Sequence, residues 1–212
     1  MPTPLQCICL LFTACLCLSS HYLLAQNRRA KVVVDRQMKD TFSFTTQWDY
    51  YWMVMKDDST GKFTRTSNEP LTPKDTAHLF YTANCTTNVQ GGYTIRYCYA
   101  QKTGNTLKLI FSDGLPAYGS EFYCYVSRDS FYFKPAVNYP LSIAGQRIYY
   151  TVTNQQLTLN KPAYAVDDSL TGYIDVEFTE TASAPAHATQ KRRLYLKGCI
   201  KTPVKSVASG QR

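Results

Sequence analysis

The chain has 212 residues, a formal net charge of +8, and 17 tyrosines against two tryptophans. That length suits one domain with a full apolar core. Three histidines in all argue against a Ser-His-Asp hydrolase or a histidine-rich metal centre, and neither a Gly-rich phosphate loop nor a paired CxxC motif is present.

The first 25 residues carry no Asp, Glu, Lys or Arg. Leu10, Leu11, Phe12, Leu16, Leu18, Leu23 and Leu24 supply an apolar run that closes at Ala25 before Gln26, which predicts a secretory signal peptide over 1–25. Ser19, Ser20 and His21 break the run well short of the ~20 residues a membrane span needs. The stretch Phe12-Thr13-Ala14-Cys15 faintly resembles a lipoprotein cleavage box, but the apolar run continues past Cys15, which argues against lipidation there. The expected address is secreted, periplasmic or cell-surface, with no transmembrane segment once the leader is removed. Export also argues against a nucleic-acid partner.

Charge is uneven. Residues 181–212 hold seven basic groups and no acid, and residues 26–39 hold five basic groups against Asp35. The expected organisation is a basic N-terminal segment over 26–40, a single β domain over 41–203, and a flexible basic tail over 204–212. Basic ends would attract an anionic partner, or simply be solvated. Four cysteines follow the leader: Cys85, Cys98, Cys124 and Cys199. All are disulfide candidates, with Cys85–Cys98 the easiest local closure, and strand parity predicts Cys124 inward with Cys98 and Cys199 outward.

From residue 41 onward, alternation dominates. Thr41–Met55 is β-prone, with Lys62–Thr66 pairing back to it. Thr72, Pro73 and Asp75 followed by Ala77, Phe80 and Ala83 predict a short helix. Tyr93–Ala100 and Thr106–Phe111 form a hairpin across Lys102–Asn105. Phe122–Ser127 and Phe131–Lys134 pair across Arg128-Asp129, and Arg147–Thr153 and Leu157–Asn160 across Asn154-Gln155. Gly172–Thr179 pairs with Arg192–Lys201 across a loop of Ala, Ser, Pro and Thr. Pro135, Pro140 and Pro162 are expected between runs or at edges. About ten short strands joined by hairpins predict an all-β fold, an antiparallel jelly-roll-like β-sandwich or alternatively a closed β-barrel.

Two stretches suggest a ligand site. Tyr173, Asp175 and Glu177 share the outer face of a strand whose Ile174, Val176 and Phe178 point inward. This resembles the active-site strand of laminarinase-type glycoside hydrolases. The resemblance implies that Asp175 matches the central aspartate and Glu177 the acid/base, while Tyr173 stands where the family's nucleophile should be. Retaining hydrolysis requires two carboxyls, so the expected catalytic set is empty. Cross-strand pairing of Asp175 and Glu177 with Arg193, Lys197 and Lys201 is the structural alternative. The second stretch is Trp48, Tyr50 and Trp52, whose rings would share one face and stack on sugars, or else fill the core. Tyr123 and Tyr125 make a further row, which Tyr149 and Tyr97 or Tyr99 extend on neighbouring strands.

Asp57-Asp58 and Asp167-Asp168 are acidic turn pairs of the kind that also ligate calcium, but no metal and no cofactor is expected. The leader's Leu-Leu-Ala-Gln ending, the Asp-Ser/Thr triplets at 58–60, 75–77 and 168–170, and the hairpin returning through Leu194–Gly198 resemble secreted all-β proteins of Bacteroides-type bacteria. That resemblance implies no particular activity. The expected function is a secreted, non-catalytic binding or interaction module, with a glycan the favoured ligand and another surface protein the other candidate partner. A hydrolase using Asp175 and Glu177 and a structural subunit of a surface assembly are the alternatives.

Overall fold

Alternation along 106–112 and 121–127 becomes two adjoining strands in the structure, a computed structural model that describes residues 29–38, 42–48, 54–65, 67, 71, 79–113, 119–139, 144–185 and 187–207. The described strands are β1 (Ala30–Val34), β2 (Val54–Lys56), β3 (Phe63–Arg65), β4 (Ala83–Thr87), β5 (Tyr93–Ile95) and β6 (Tyr97–Thr103). They continue with β7 (Thr106–Ser112), β8 (Glu121–Ser127), β9 (Ser130–Ala136), β10 (Arg147–Leu159), β11 (Ser169–Ala184) and β12 (His187–Ser206). The fold is all-β, as expected.

Two meanders, β6–β9 and β10–β12, build the two halves. β1 and β12 join them by belonging to both. Ala30 and Lys31 pair antiparallel with β9, whereas Val32–Val34 pair parallel with β10. β12 pairs along its length with β11, and its last residues, Val204–Ser206, run parallel to β6. The pairings therefore pass right round a ring, with β4 and β5 added beside β12. Antiparallel pairing dominates, and the two parallel junctions make the large sheet mixed. The halves pack face to face in a sandwich-like way, since Phe178 of β11 lies 6.1 Å from Phe122 and 5.6 Å from Phe133 between ring centroids. Phe111, Phe122, Phe131, Phe133 and Phe178 fill the interior. Each such ring, taken fully out of water, stabilises the fold by about 1.5–3 kcal/mol.

Several expectations are corrected. Arg147–Asn160 is not a hairpin but one strand, β10, interrupted by a bulge between Val152 and Asn154. The two-residue turn would have needed positive φ at Asn154-Gln155, where no glycine supplies it, and the continuous strand instead pairs along β11. The loop expected between Thr179 and Arg192 is mostly strand, with Glu180↔Arg192 and Thr181↔Lys191 in register. The expected run Tyr93–Ala100 breaks at Arg96: Tyr93–Ile95 pair with β4, Tyr97 onward with β7. That switch flips the parity. Tyr97 and Cys98 are both buried, so Cys98 points inward and not outward. Pro135 lies within β9, whose flank beyond Phe131 has no strand partner, so its missing N–H costs no ladder bond there. The chain stays packed beyond Pro203, because Val204 is fully buried. Of the expected helix, residues 72–78 lie outside the described residues, and Ala83 opens β4.

Candidate functional site

The outer positions of β11 hold Tyr173, Asp175 and Glu177, as alternation requires. Each carboxylate is engaged by a cation of β12. Lys197 Nζ lies 2.8 Å from Asp175 Oδ2, and Arg193 Nη2 lies 2.5 Å from Glu177 Oε2. The hydrogen bond to Asp175, with a second to Tyr173, raises the Lys197 pKa above its ordinary value, and Glu177 does the same for Arg193. Each carboxylate is thus held in its own cross-strand ion pair, the arrangement that stabilises a sheet's outer face.

Trp48 is half-buried in a small cluster against the β2–β3 hairpin, and Tyr50 and Trp52 lie outside the described residues. The Trp48 ring meets Phe63 edge-on at 5.5 Å, and Phe63 meets Phe80 at 6.0 Å. Lys56 stands 5.9 Å over the indole. An antiparallel bridge ties Trp48 to Phe80.

Phe80 connects that cluster to a groove where β6 meets the last residues of β12. The groove encloses about 410 Å³ and is lined by Phe80, Tyr97, Tyr99, Gln101, Thr202 and Pro203, among others. Tyr97 and Tyr99 run parallel, with planes 3° apart and centroids 6.4 Å apart. Burial, then neighbouring Tyr97, pushes Tyr99 up to about 12, so its hydroxyl stays protonated at neutral pH.

From this groove the outer face of β6–β9 continues as a surface of tyrosines and cations. The register sets Tyr125 beside Lys108 on one side and Tyr132 on the other, and Tyr123 beside Ile110 and Lys134. Tyr125 and Tyr132 stack at 4.7 Å with planes 14° apart, and Tyr123 follows at 6.2 Å. Lys108 reaches over Tyr123 at 4.5 Å and Tyr125 at 5.8 Å, while Arg29 stands 5.4 Å over Tyr132. The Tyr123 hydroxyl donates to Glu121 Oε2, and that bond, more than burial, pushes it up to about 12. The face thus offers phenol donors and ammonium groups side by side. The row of Tyr123 and Tyr125 was legible from alternation. Arg29, Lys108 and Tyr132 were missed, because they join the row only through cross-strand register.

No family model, curated protein or solved structure matches this chain.

A second polar cluster sits inside one end of the sandwich. Tyr150, Glu180 and Arg192 form a row across β10, β11 and β12. Glu180 is 1% exposed. Arg192 donates to its Oε1 from both Nε and Nη2, and Tyr139 donates to its Oε2. Burial first, then Glu180, raises the pKa of Tyr139, and of Tyr150. Every partner of the carboxylate is thereby committed, so the cluster anchors rather than reacts. Continuing the inward series Ile174, Val176, Phe178 by one step finds Glu180, which is the signal that went unused.

The four cysteines among the described residues carry free thiols, with Cys85, Cys98 and Cys124 buried and Cys199 half-buried. No disulfide joins Cys85 to Cys98. Among the described residues no group of three or more His, Cys, Asp and Glu is placed to hold a metal ion. In the acidic turns, Asp57 binds Ser59 and Thr60, Asp167 pairs with Lys205 at 2.6 Å, and Asp168 with Lys161 at 3.3 Å. Among the described residues no helix is long and apolar enough to cross a membrane.

Proposed function

We propose that this chain is an exported, non-catalytic module that binds a glycan on the outer face of β6–β9. The observation that carries the reading is the groove of about 410 Å³ beside Tyr97 and Tyr99, which the register Tyr99–Ile110–Tyr123 links to the tyrosine surface. Its size and its aromatic lining with a few polar groups are those of a small-ligand site. Phe80, Tyr97, Tyr99 and Pro203 offer apolar surface to the C–H faces of a sugar ring. Gln101 offers hydrogen bonds to its hydroxyls. The non-catalytic part of the reading is supported by Asp175 and Glu177, each occupied by a cation on a different face of the molecule.

The test is a titration of oligosaccharides followed by tryptophan emission, since Trp48 bridges to Phe80 at the groove wall. Binding is expected to change the emission, and Tyr99→Ala is expected to abolish the response while thermal unfolding still shows a folded domain. No response to any member of a broad glycan panel defeats the reading.

A further inference from the structure

The two outer faces of the sandwich treat their charges differently. On the outer face of β11 and β12 both acids are answered by a cation: Asp175 by Lys197 and Glu177 by Arg193. On the outer face of β6–β9 the cations have no such answer. Arg29, Lys108 and Lys134 form no ion pair with any described residue. The one acid at an outward position of these four strands, Glu121, already accepts the Tyr123 hydroxyl. Lys108 and Arg29 are held over aromatic rings, which fixes their position by cation–π attraction but leaves their charge unneutralised. Lys134 is exposed on β9, in register with Tyr123.

We propose that the glycan bound by this face is anionic, its carboxylate or sulfate groups received by Lys108, Lys134 and Arg29. The inference rests on the glycan reading above and narrows its ligand class. The physical reasons are three. A neutral glycan would leave the three charges uncompensated, whereas an anionic one pairs with each through hydrogen bonds in which both partners are charged. Lys108 is held over the Tyr123 and Tyr125 rings and Arg29 over Tyr132, so an arriving anion meets two cations already positioned, at small further ordering cost. The Tyr125 hydroxyl, whose pKa burial raises above the ordinary value, remains a donor throughout the physiological range and can share the anion's oxygens.

The experiment compares binding of polygalacturonate, heparin and neutral dextran by affinity electrophoresis. It uses the parent protein, Lys134→Gln, Lys108→Gln, Tyr99→Ala, and Lys191→Gln as a control for the basic β12 end. The expected result is retardation by one or both polyanions, weakening as salt is raised. Lys134→Gln and Lys108→Gln should each reduce it roughly fivefold to tenfold, with Lys191→Gln unchanged. Polygalacturonate alone assigns a carboxylate, and heparin alone a sulfate ester. Equal, salt-insensitive binding of dextran that Tyr99→Ala abolishes overturns the anionic inference while leaving the glycan reading standing. Polyanion binding that falls in Lys191→Gln as much as in Lys134→Gln reports bulk charge only and overturns it too. Binding to none of the three polymers overturns the inference and leaves the wider glycan panel to decide the parent reading.

Discussion

Glu180 on β11 and Arg192 on β12 face each other in register, and the guanidinium holds the buried carboxylate at 2.5 Å. The pair is lopsided: the carboxylate side chain is 1% exposed and the guanidinium side chain 51%. Removing the cation would strand a charge in the interior, whereas neutralising the acid would strand only hydrogen-bonding groups that water can reach. Arg192→Ala should therefore lower stability by about 2 kcal/mol, below the full penalty of a wholly buried pair. Glu180→Gln should cost less, about 1 kcal/mol. Urea midpoints of the two variants check the order, and a larger loss in Glu180→Gln contradicts it.

The pH response of the β2–β3 turn follows from Asp57. Its carboxylate accepts the Ser59 hydroxyl at 2.6 Å and the Ser59 and Thr60 amides at 2.8 and 3.2 Å. These bonds, the side-chain contacts with Ser59 and Thr60 foremost, lower its pKa from 3.8 to about 2. A depressed folded pKa means that the contribution is present above the unfolded value and is lost as pH falls through about 2. A carboxyl-carbon NMR titration should place the midpoint near 2, and Ser59→Ala should move it back toward 3.8. An unchanged midpoint in Ser59→Ala would show that the hydroxyl plays no part.

Thiol reactivity should follow burial. Desolvation raises the thiol pKa of Cys85, Cys98 and Cys124, and of half-buried Cys199. Since the thiolate is the reactive form, all four should react slowly at neutral pH, with Cys199 first. In a chain made without residues 1–25 Ellman's reagent should report one thiol under native conditions, and four in concentrated guanidinium chloride. Cys199→Ser should remove the native signal. Fewer than four thiols after unfolding would reveal a disulfide.

Much of this architecture was legible because alternation is local. The inward rows Leu107, Leu109, Phe111 and Phe122, Cys124, Val126 follow from period two alone, and the structure buries all six. The errors arise where local pattern stops deciding. At Arg96 the chain changes sheets, and parity resets with no mark in composition, so Cys98 was assigned to the wrong face. Along β10 a bulge at Thr153 carries the same local pattern as a turn, because a polar Asn-Gln pair looks alike in both. At the candidate site the same division holds. Tyr123 and Tyr125 were visible as a row, while Lys108, Arg29 and Tyr132 arrive from other strands. Only the register fixes which of their side chains are neighbours.

Gly198 tests the crossing on which that register depends. It lies in β12 opposite Cys85, with φ at +155°, where β12 carries β4 on one side and β11 on the other. A Cβ there would meet Asn84 O at 2.2 Å and Cys85 Cα at 2.5 Å. Both are backbone atoms of β4 and cannot rotate aside. Gly198→Ala must therefore push β4 away from β12, loosening Cys85 and Ile95 in the core behind it. The expected loss is at the upper end of about 1–3 kcal/mol. Amide exchange should accelerate in Ala83–Thr87 and Tyr93–Ile95 far more than in β7 and β8, whose pairings lie on the opposite half. Uniform acceleration over the whole domain would mean that β4 and β5 unfold only with the rest. An unchanged melting temperature would mean that the close approach of β4 to β12 is wrong.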